Sequence, residues 1–528
     1  MKNQQAVARA VASLVAWAST TAVAVFVAAP TVVAAPPPAA DPSAPVRNLQ
    51  PYPDPTGAAS TYSSGGRIDT TGPFFQSLGS NGRNCASCHA IDEAMSISPP
   101  QIKERFRRTG GQDPLFAPVD GANCPDVPRA DPEGHSLLLR HGLIRIALGM
   151  PANAQFTISV VHDPYGCALV LDPQHNVLTV SVYRRPLPAT NLSFLSAVMF
   201  DGRETVAPLT SGADFLTNLN TDLTHQANDA ISAHFQAAKP ASAAQVAAIV
   251  EFELGLSTAQ IWDANAGRLD RRGASGGPFV LASQEYYPGI NDVLGGDPTG
   301  LAFSSTSMTL FTGWMAGHAR DDDSGSDMEM EIPGTRARAG SEAERLAARE
   351  AIAAGEKLFN SAPLTIANVR GLNDNSALHL PNGFRGTCTT CHDAPNVGGH
   401  SLPLPLDIGV AHSSKPEFEP NSTIANAVAQ LDEPNLPIFV IAGCPDPFSG
   451  QPAAFYTSDP GKALITGQCG DLNRLKGPIL RGLAARAPYF HNGAAASLTE
   501  VVSFYNERFQ MQLTALQKQE LVAFLNSL

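Results

Sequence analysis

The sequence of 528 residues is poor in positive charge: it has 35 Lys and Arg against 48 Asp and Glu, for a net charge of −13. A protein that clamps phosphate backbones needs the opposite balance, so nucleic acid is not expected as a partner. Cysteine is also scarce, and eight in the chain exclude a small scaffold stapled by disulfides. Charged residues make up 16% and hydrophobic residues 43%, which indicates a globular protein of two or three domains.

Long apolar runs are lacking everywhere except at the N-terminus, where residues 10–29 follow Lys2 and Arg9. This pattern, with small residues at 32–34 and prolines at 36–38, is typical of a secretory signal, and it predicts a signal peptide over 1–35 and a periplasmic protein. An uncleaved membrane anchor is the alternative, because the run is just long enough to span a bilayer. The Pro-, Ala-, Ser- and Gly-rich residues 36–71 predict a flexible tether.

Periodicity further along the chain predicts mostly helices, with one β segment. Hydrophobic residues at helical spacing predict helices over 243–256, 342–359 and 514–528. Strict alternation over 156–160 and 178–182, separated by a turn at Asp172-Pro173, predicts strands. Six acidic residues between 321 and 331 predict a solvated loop, where we place the boundary between two halves, 72–330 and 335–528.

Two short motifs indicate the chemistry. Cys85-Ala-Ser-Cys88-His89 and Cys388-Thr-Thr-Cys391-His392 both match Cys-x-x-Cys-His, for which about 0.003 chance matches are expected in this chain. The pattern is typical of covalent c-type haem: two thiols form thioethers, and the adjacent imidazole ligates the iron. A zinc knuckle would need two further soft ligands nearby, and a redox dithiol would not need the terminal His twice.

Four cysteines remain, namely Cys124, Cys167, Cys444 and Cys469. They allow three pairings. We favour Cys124 with Cys167 and Cys444 with Cys469, because each bridge then stays within one half.

The sequence segments around the two motifs resemble those of the bacterial di-haem cytochrome c peroxidase and MauG superfamily. The similarity runs over residues 72–528 and rests on Asn81-Gly-Arg-Asn84, Arg184-Arg-Pro186, Phe200-Asp-Gly-Arg203, Gln226-Ala227, Gly355-Glu-Lys-Leu-Phe359, Leu480-Arg-Gly-Leu483 and Ala487-Pro-Tyr-Phe-His-Asn-Gly493. The resemblance implies a mainly α fold of two cytochrome c-like haem domains, with a small β insertion here at 110–183. It also implies that two covalently bound haems c serve peroxide reduction at the N-terminal haem and electron relay at the C-terminal one.

Breaking an O–O bond needs a group that moves a proton between the two oxygens. The family uses a Glu about ten residues after the Gln-Ala pair. Counting from Gln226 reaches Gln236, which cannot titrate, so His234 is the predicted acid-base group. Gln226 and Gln236 are the other predicted catalytic residues, together with Arg203 as a cation near a haem propionate or the peroxide.

Three further positions depart from the family pattern. Tyr505 stands where the relay haem commonly has a Met ligand, so Tyr505 is the predicted second axial ligand, with Met511 as the alternative. Phe200 stands where most members have a Trp thought to carry electrons between the haems. Arg184-Arg185 occupies the stretch that supplies an Asn ligand to the family's bridging calcium, so calcium is doubtful.

The resemblance leaves more than one function open. The first is a periplasmic di-haem peroxidase that reduces hydrogen peroxide with electrons from a small cytochrome c or copper protein. The second is a MauG-like or rubber-oxygenase-like oxidase acting on an organic or protein substrate, and the third is a non-catalytic electron carrier. A homodimer is an open alternative to a monomer.

Overall fold

The computed structural model of the protein describes residues 46–172, 176–207, 209, 214–315, 341–415 and 417–528. The predicted signal peptide, the first part of the tether and the acidic boundary loop lie outside these residues. No helix within the described ranges is both long enough and apolar enough to cross a membrane. The protein is 30% helix and 17% strand, with ten helices and five sheets in its described part. The predicted mainly α fold of two cytochrome c-like domains is therefore wrong.

The helices are short, apart from two of about 20 residues. Their bounds are α1 Pro99–Thr109, α2 Ser136–His141, α3 Phe215–Ala233, α4 Ala243–Leu254, α5 Pro278–Leu281, α6 Glu342–Ser361, α7 Ser422–Val428, α8 Ala463–Thr466, α9 Leu498–Arg508 and α10 Ala515–Asn526. The three helices predicted from periodicity are confirmed as α4, α6 and α10, with ends within two residues. Capping boxes at Ser242, Ser341 and Thr514 begin these three helices and satisfy their first backbone N–H groups.

The strands are spread over most of the described chain. They are β1 Val46–Arg47, β2 Pro51–Asp54, β3 Gly57–Ser63, β4 Arg67–Ile68, β5 Ile144–Gly149, β6 Thr157–His162, β7 Leu169–Asp172, β8 Val177–Arg184, β9 Leu256–Asp263, β10 Gly267–Arg268, β11 Leu364–Ile366, β12 Phe384–Gly386, β13 Ile438–Ala442 and β14 Phe455–Thr457. The sheet orders are β1-β4, β10-β9-β3-β2, β11-β12, β14-β13-β6 and β5-β8-β7. Every pairing is antiparallel.

The predicted tether is wrong for residues 46–68, which are folded. Strand β3 pairs along its whole length with β9, and Ala58 and Ala59 are buried. Most side chains of β3 (Gly57-Ala-Ala-Ser-Thr-Tyr-Ser63) are small, and this amino-acid composition is also typical of a flexible linker. Here the same small residues occupy the middle of a four-stranded sheet, where both faces are covered.

The β structure is not confined to a small insertion in the N-terminal half. The two predicted strands exist as β6 and β8, but they belong to different sheets. Strand β6 pairs with β13, so that Ser159 lies opposite Val440, 281 positions later in the chain. Periodicity identifies a strand but not its partner, and this partner comes from the other predicted half.

A large apolar cluster also combines residues before and after the acidic loop. Trp314 and Phe311 pack in it with Phe524 of α10 and Phe359 of α6. Helices α6 and α10 approach closely at Gly355, where an added Cβ would lie 2.0 Å from the carbonyl oxygen of Glu520. Residues 40–528 form one compact unit.

Both favoured disulfides are confirmed. Cys124 is bonded to Cys167, and Cys444 is bonded to Cys469. The other four cysteines, those of the two Cys-x-x-Cys-His motifs, are free.

Candidate active site

The two Cys-x-x-Cys-His motifs fold in the same way. Each begins a single 3₁₀ turn, Cys85–Ser87 in the first motif and Cys388–Thr390 in the second. The N–H of His89 donates to the carbonyl of Cys85 at 3.0 Å, and the N–H of His392 donates to the carbonyl of Cys388 at 3.0 Å. A hydroxyl side chain, Ser87 or Thr390, accepts from the backbone N–H just before the first cysteine. Two segments of different sequence thus adopt one local structure.

The two histidines are also held alike. The Nδ1–H of His89 donates to the carbonyl of Met95 at 3.3 Å, and that of His392 donates to the carbonyl of Gly398 at 2.9 Å. Each acceptor lies six positions after its histidine, and both have positive φ angles, +57° at Met95 and +72° at Gly398. Desolvation lowers the pKa of each imidazole to about 4. Each ring is therefore neutral, with Nε2 left as the basic nitrogen, as an axial iron ligand requires.

The cysteines of both motifs are protonated thiols. Desolvation raises the pKa of Cys388 and Cys391 to about 12, and it raises that of Cys85 and Cys88. A reactive redox dithiol or a thiolate zinc site needs the opposite shift. Among the described residues, only Glu204, His225 and Asp229 are grouped closely enough to share a metal ion, and that group contains no cysteine. The thiols therefore suit thioether formation better than either alternative.

Each motif opens into its own cavity. Cavity 1 is lined by Cys85, Cys88 and His89, and cavity 2 by Cys388, Cys391 and His392. Apolar side chains make up much of the remaining lining in both, as expected where a flat macrocycle is enclosed. The two cavities have one wall in common, which we call the shared wall: residues 185–188, Phe200, Lys476, Pro478 and Arg486.

The shared wall carries three cations, Arg185, Lys476 and Arg486; among the described carboxylates, Glu93 acts on Arg185 from beyond 4 Å. Desolvation lowers the pKa of Lys476 to about 8 and the pKa values of Arg185 and Arg486 to about 10. No carboxylate of the described residues lies within 4 Å of any of them. Unpaired buried charge costs several kcal/mol, so anionic groups are expected here. Haem propionates are such groups, and the residues of both cavities therefore fit haem in charge as well as in donor chemistry.

His234 is brought into cavity 1, as the sequence predicts, and the structure adds two partners that the sequence did not reveal. His234 ends α3 and lines cavity 1 together with His89. Its Nδ1–H donates to Oδ2 of Asp120, and the other oxygen of Asp120 accepts from Arg83. In the sequence, Asp120 is one residue of the long insert 110–183. Nothing in the sequence pattern predicts that this insert contacts the end of α3.

The other predicted catalytic residues are placed differently from one another. Gln226 lines cavity 1 from α3. Arg203 also lines it, but its guanidinium already binds Asp201, with Nη1 at 3.0 and 3.1 Å from the two oxygens. Gln236 is exposed and is not part of the lining, because the chain has left the helix and turned with a φ of +53°.

Glu253 is a second titratable group of cavity 1 that sequence reasoning did not select. It lies on α4, is 6% exposed, and its Oε2 has no hydrogen-bond partner. Burial raises its pKa to about 8, so the side chain is a neutral acid near pH 7. In the sequence, Glu253 is an ordinary glutamate of a predicted helix. Its burial arises only in the folded protein, where it lines cavity 1.

Cavity 2 contains both predicted candidates for the second axial ligand. Tyr505 and Met511 line it, and the Tyr505 ring stacks on Phe509 with centroids 5.7 Å apart. Desolvation raises the pKa of Tyr505, which keeps the phenol protonated unless a cation binds it. His491 lines the same cavity and lies beside Phe200 of the shared wall, with ring centroids 6.1 Å apart. The choice between Tyr505 and Met511 stays a prediction.

Arg184 fills a buried site between carboxylates. Its guanidinium donates to Asp201 at 2.5 Å and to Asp459 at 2.6 and 2.9 Å, and all three side chains are almost fully buried. The guanidinium offsets the negative charge of the two carboxylates, which would otherwise favour a bound cation. We expect that a chelator leaves the melting temperature unchanged; a fall in that temperature, reversed by added calcium, would contradict this reading of Arg184.

The cysteines allow a direct test of the two cavities. The double variant Cys85→Ser, Cys88→Ser is expected to lose one covalent haem and keep the other, because each pair would hold its own group. The matched variant Cys388→Ser, Cys391→Ser is expected to lose the other haem. Denaturing mass spectrometry measures the attached mass, and a protein that carries no haem before mutation would contradict the assignment.

The chain has a distant relative among known proteins. No family model matches the chain, and no solved structure matches it. The chain is similar to the cytochrome-c peroxidase IdrP2 of Denitromonas iodatirespirans, with 28% identity over 151 residues. The match covers 27% of this chain and 36% of that protein, so the chain spans about a third of the relative's length. This distant similarity supports a peroxidase-like oxidoreductase and does not extend to the MauG superfamily.

Proposed function

We propose that the protein is a periplasmic peroxidase with two covalently bound haems c, which reduces hydrogen peroxide with electrons from a small redox protein. One observation carries the proposal: two Cys-x-x-Cys-His turns of the same shape face two adjacent cavities that share a cationic wall. His89 and His392 would ligate iron through Nε2, and the four cysteines would form the thioethers. The distant similarity to a cytochrome-c peroxidase agrees with this.

Cavity 1 is the proposed site of peroxide reduction, because His234 faces it. The reaction is H2O2 + 2 e⁻ + 2 H⁺ → 2 H2O, and a haem held by these residues would supply the electrons. His234 Nε2 would accept a proton from one oxygen of the peroxide and donate it to the other oxygen, which leaves as water. The Nδ1–H of His234 donates to Asp120, which also accepts from Arg83. Gln226 lines the same space and is expected to position the peroxide.

The shared wall would connect the two sites. Phe200 lines both cavities, and its carbonyl accepts from the backbone N–H of Lys476 at 2.6 Å. Phenylalanine is much harder to oxidise than tryptophan, so electrons would tunnel across this wall without residing on the ring. The net charge of −13 favours a small basic protein as the donor, through electrostatic steering.

The purified holoprotein tests the proposal directly. Reduced small cytochrome c or a reduced copper protein should be oxidised catalytically when peroxide is added. Two electrons should be consumed for each peroxide. A protein with both haems intact and no turnover with either donor would exclude the peroxidase function.

Location outside the cytoplasm is part of the proposal. The predicted signal peptide supports it, and so do two disulfides, which persist in oxidising compartments. Covalent haem attachment to four thiols belongs to the same environment. Fractionation of cells that produce the full chain is the measurement, and recovery with the cytoplasmic fraction would contradict it.

Tyr505 in cavity 2 favours a second candidate function, a di-haem oxidase of the MauG or rubber-oxygenase type. A tyrosinate ligand stabilises higher iron oxidation states, whereas a thioether raises the reduction potential. Tyr505→Phe is expected to change the electronic and paramagnetic resonance spectra of one haem and leave the other unchanged. Met511→Leu is the matched variant: if it changes that spectrum and Tyr505→Phe does not, Met511 is the ligand and the relay haem is an ordinary one. Two six-coordinate haems would instead support the electron-carrier alternative.

A further inference from the structure

We propose that Asp120 is a positioning residue that fixes the tautomer and orientation of His234. The inference rests on the proposed role of His234 and extends it to a residue of the insert. Asp120 is 5% exposed, and its two oxygens have different partners. Oδ2 accepts from the Nδ1–H of His234, and Oδ1 accepts from Nη1 of Arg83.

Asp120 is itself held firmly in place. Its carbonyl accepts from the backbone N–H of Arg145, the second residue of β5, at 2.8 Å. The Arg83 guanidinium also donates to the carbonyls of Pro114 at 2.8 Å and Leu115 at 2.6 Å. Arg83 thus joins the insert to the turn that precedes Cys85. The Cys124–Cys167 disulfide closes the insert just beyond Asp120.

This arrangement determines which nitrogen of His234 faces cavity 1. A carboxylate can only accept, so the proton on the Asp120 side stays at Nδ1 and the lone pair is at Nε2. Burial alone would raise the pKa of Asp120, but the Arg83 guanidinium and the hydrogen bond from His234 outweigh burial, and the pKa lies below its ordinary value. Asp120 is therefore anionic at neutral pH and also stabilises the imidazolium that forms when Nε2 takes a proton. The other charged or titratable groups near this pair are Arg83, Cys88, His89 and Arg145.

Cyanide is the probe that tests Asp120 without turnover. Hydrogen cyanide must lose a proton to bind ferric iron, and a base beside the iron can take that proton and then donate to the bound anion. Asp120→Asn keeps the size of the side chain but can donate its amide N–H to Nδ1, which permits the wrong tautomer. We expect this variant to bind cyanide at least tenfold more weakly, as measured by the change in the Soret band. The pH dependence of binding should also change.

Two variants separate positioning from folding. Asp113→Asn is the matched control, because Asp113 belongs to the same insert and is also paired with an arginine, Arg105, at 2.5 and 2.9 Å, but it does not line cavity 1. It should bind cyanide as the wild type does. Asp120→Glu restores the carboxylate and should recover most of the affinity and the original pH profile. A structural role alone would give Asp120→Asn and Asp113→Asn the same effect.

Cyanide binding by Asp120→Asn and by the wild type tests the proposal. Wild-type cyanide affinity and pH profile in Asp120→Asn would overturn it, and so would a wild-type protein whose haems bind no cyanide. Failure of the peroxidase function is a separate result. If the wild type does not turn over peroxide but Asp120→Asn still weakens cyanide binding, the positioning role is supported and hydrogen peroxide is excluded as the substrate.

Discussion

Replacing His234 with glutamine is expected to lower the second-order rate constant for peroxide reduction by a factor of about 10² to 10⁴, the usual range for loss of a general acid-base group. Glutamine can still form a hydrogen bond to Asp120, but it cannot carry a proton from one oxygen of the peroxide to the other. Stopped-flow mixing of the reduced holoprotein with peroxide measures the rate constant. Both covalent haems should remain, because no thiol or axial histidine is changed.

Gln236→Asn is the matched control for His234→Gln. Gln236 follows two residues later, is exposed, and lies outside the lining of cavity 1. Asparagine tolerates its positive φ angle, so the turn should be preserved. This variant is expected to react with peroxide at the wild-type rate.

Glu253 is the competitor for the acid-base role. Its buried carboxyl, with a pKa of about 8, could deliver a proton into the same cavity. Glu253→Gln would remove the proton and keep the shape. If Glu253→Gln abolishes the reaction with peroxide while His234→Gln reacts normally, the assignment to His234 is wrong and Glu253 takes the role.

The sequence predicts the residues with which each cavity would hold its haem, but not the wall that the two cavities share. Cys85, Cys88 and His89 are neighbours in the chain, so one short motif would contain the whole proposed attachment site, and local hydrogen bonds give it its shape. The prediction of His234 as a residue near the first motif's cavity also rests on a local count, eight positions after Gln226 of α3. Lys476 lies in cavity 1 only through tertiary packing, and nothing in its own neighbourhood marks it as buried.

The three helices predicted by range are confirmed, whereas the mainly α fold class is wrong because most of the sheet structure was not predicted. A helix is recognised from its own periodicity, as with α6 and α10, because its hydrogen bonds are internal. A strand needs a partner, and β3 and β9 are far apart in the sequence. The small residues of β3 show no hydrophobic alternation, so a buried central strand had the composition of a linker.

Arg184→Met is expected to lower the free energy of unfolding by about 3 to 5 kcal/mol, the range for removing one partner of a buried ion pair. The variant leaves Asp201 and Asp459, which are 0% and 2% exposed, without the guanidinium between them. Arg203→Met is the matched control, since Arg203 binds the same Asp201 from a more exposed position and should cost much less. If Arg184→Met does not fold, the same measurement can be made on Arg184→Lys, which keeps a positive charge.

The stability lost in Arg184→Met is expected to depend on pH. In the wild type, burial alone would raise the pKa values of Asp201 and Asp459, but Arg184 outweighs burial and both lie below their ordinary value. Their contribution is therefore present above about pH 4, the ordinary aspartate value, and is lost as the pH falls through the lowered pKa. In Arg184→Met the lowering by this guanidinium is lost at both carboxylates, although Arg203 still pairs with Asp201, so the variant has less of this contribution above about pH 4. The difference in melting temperature between wild type and variant should consequently be largest near neutral pH and shrink on acidification. A difference that stays constant from neutral to acid pH would mean that the cost comes from packing around Arg184 and not from the two carboxylates.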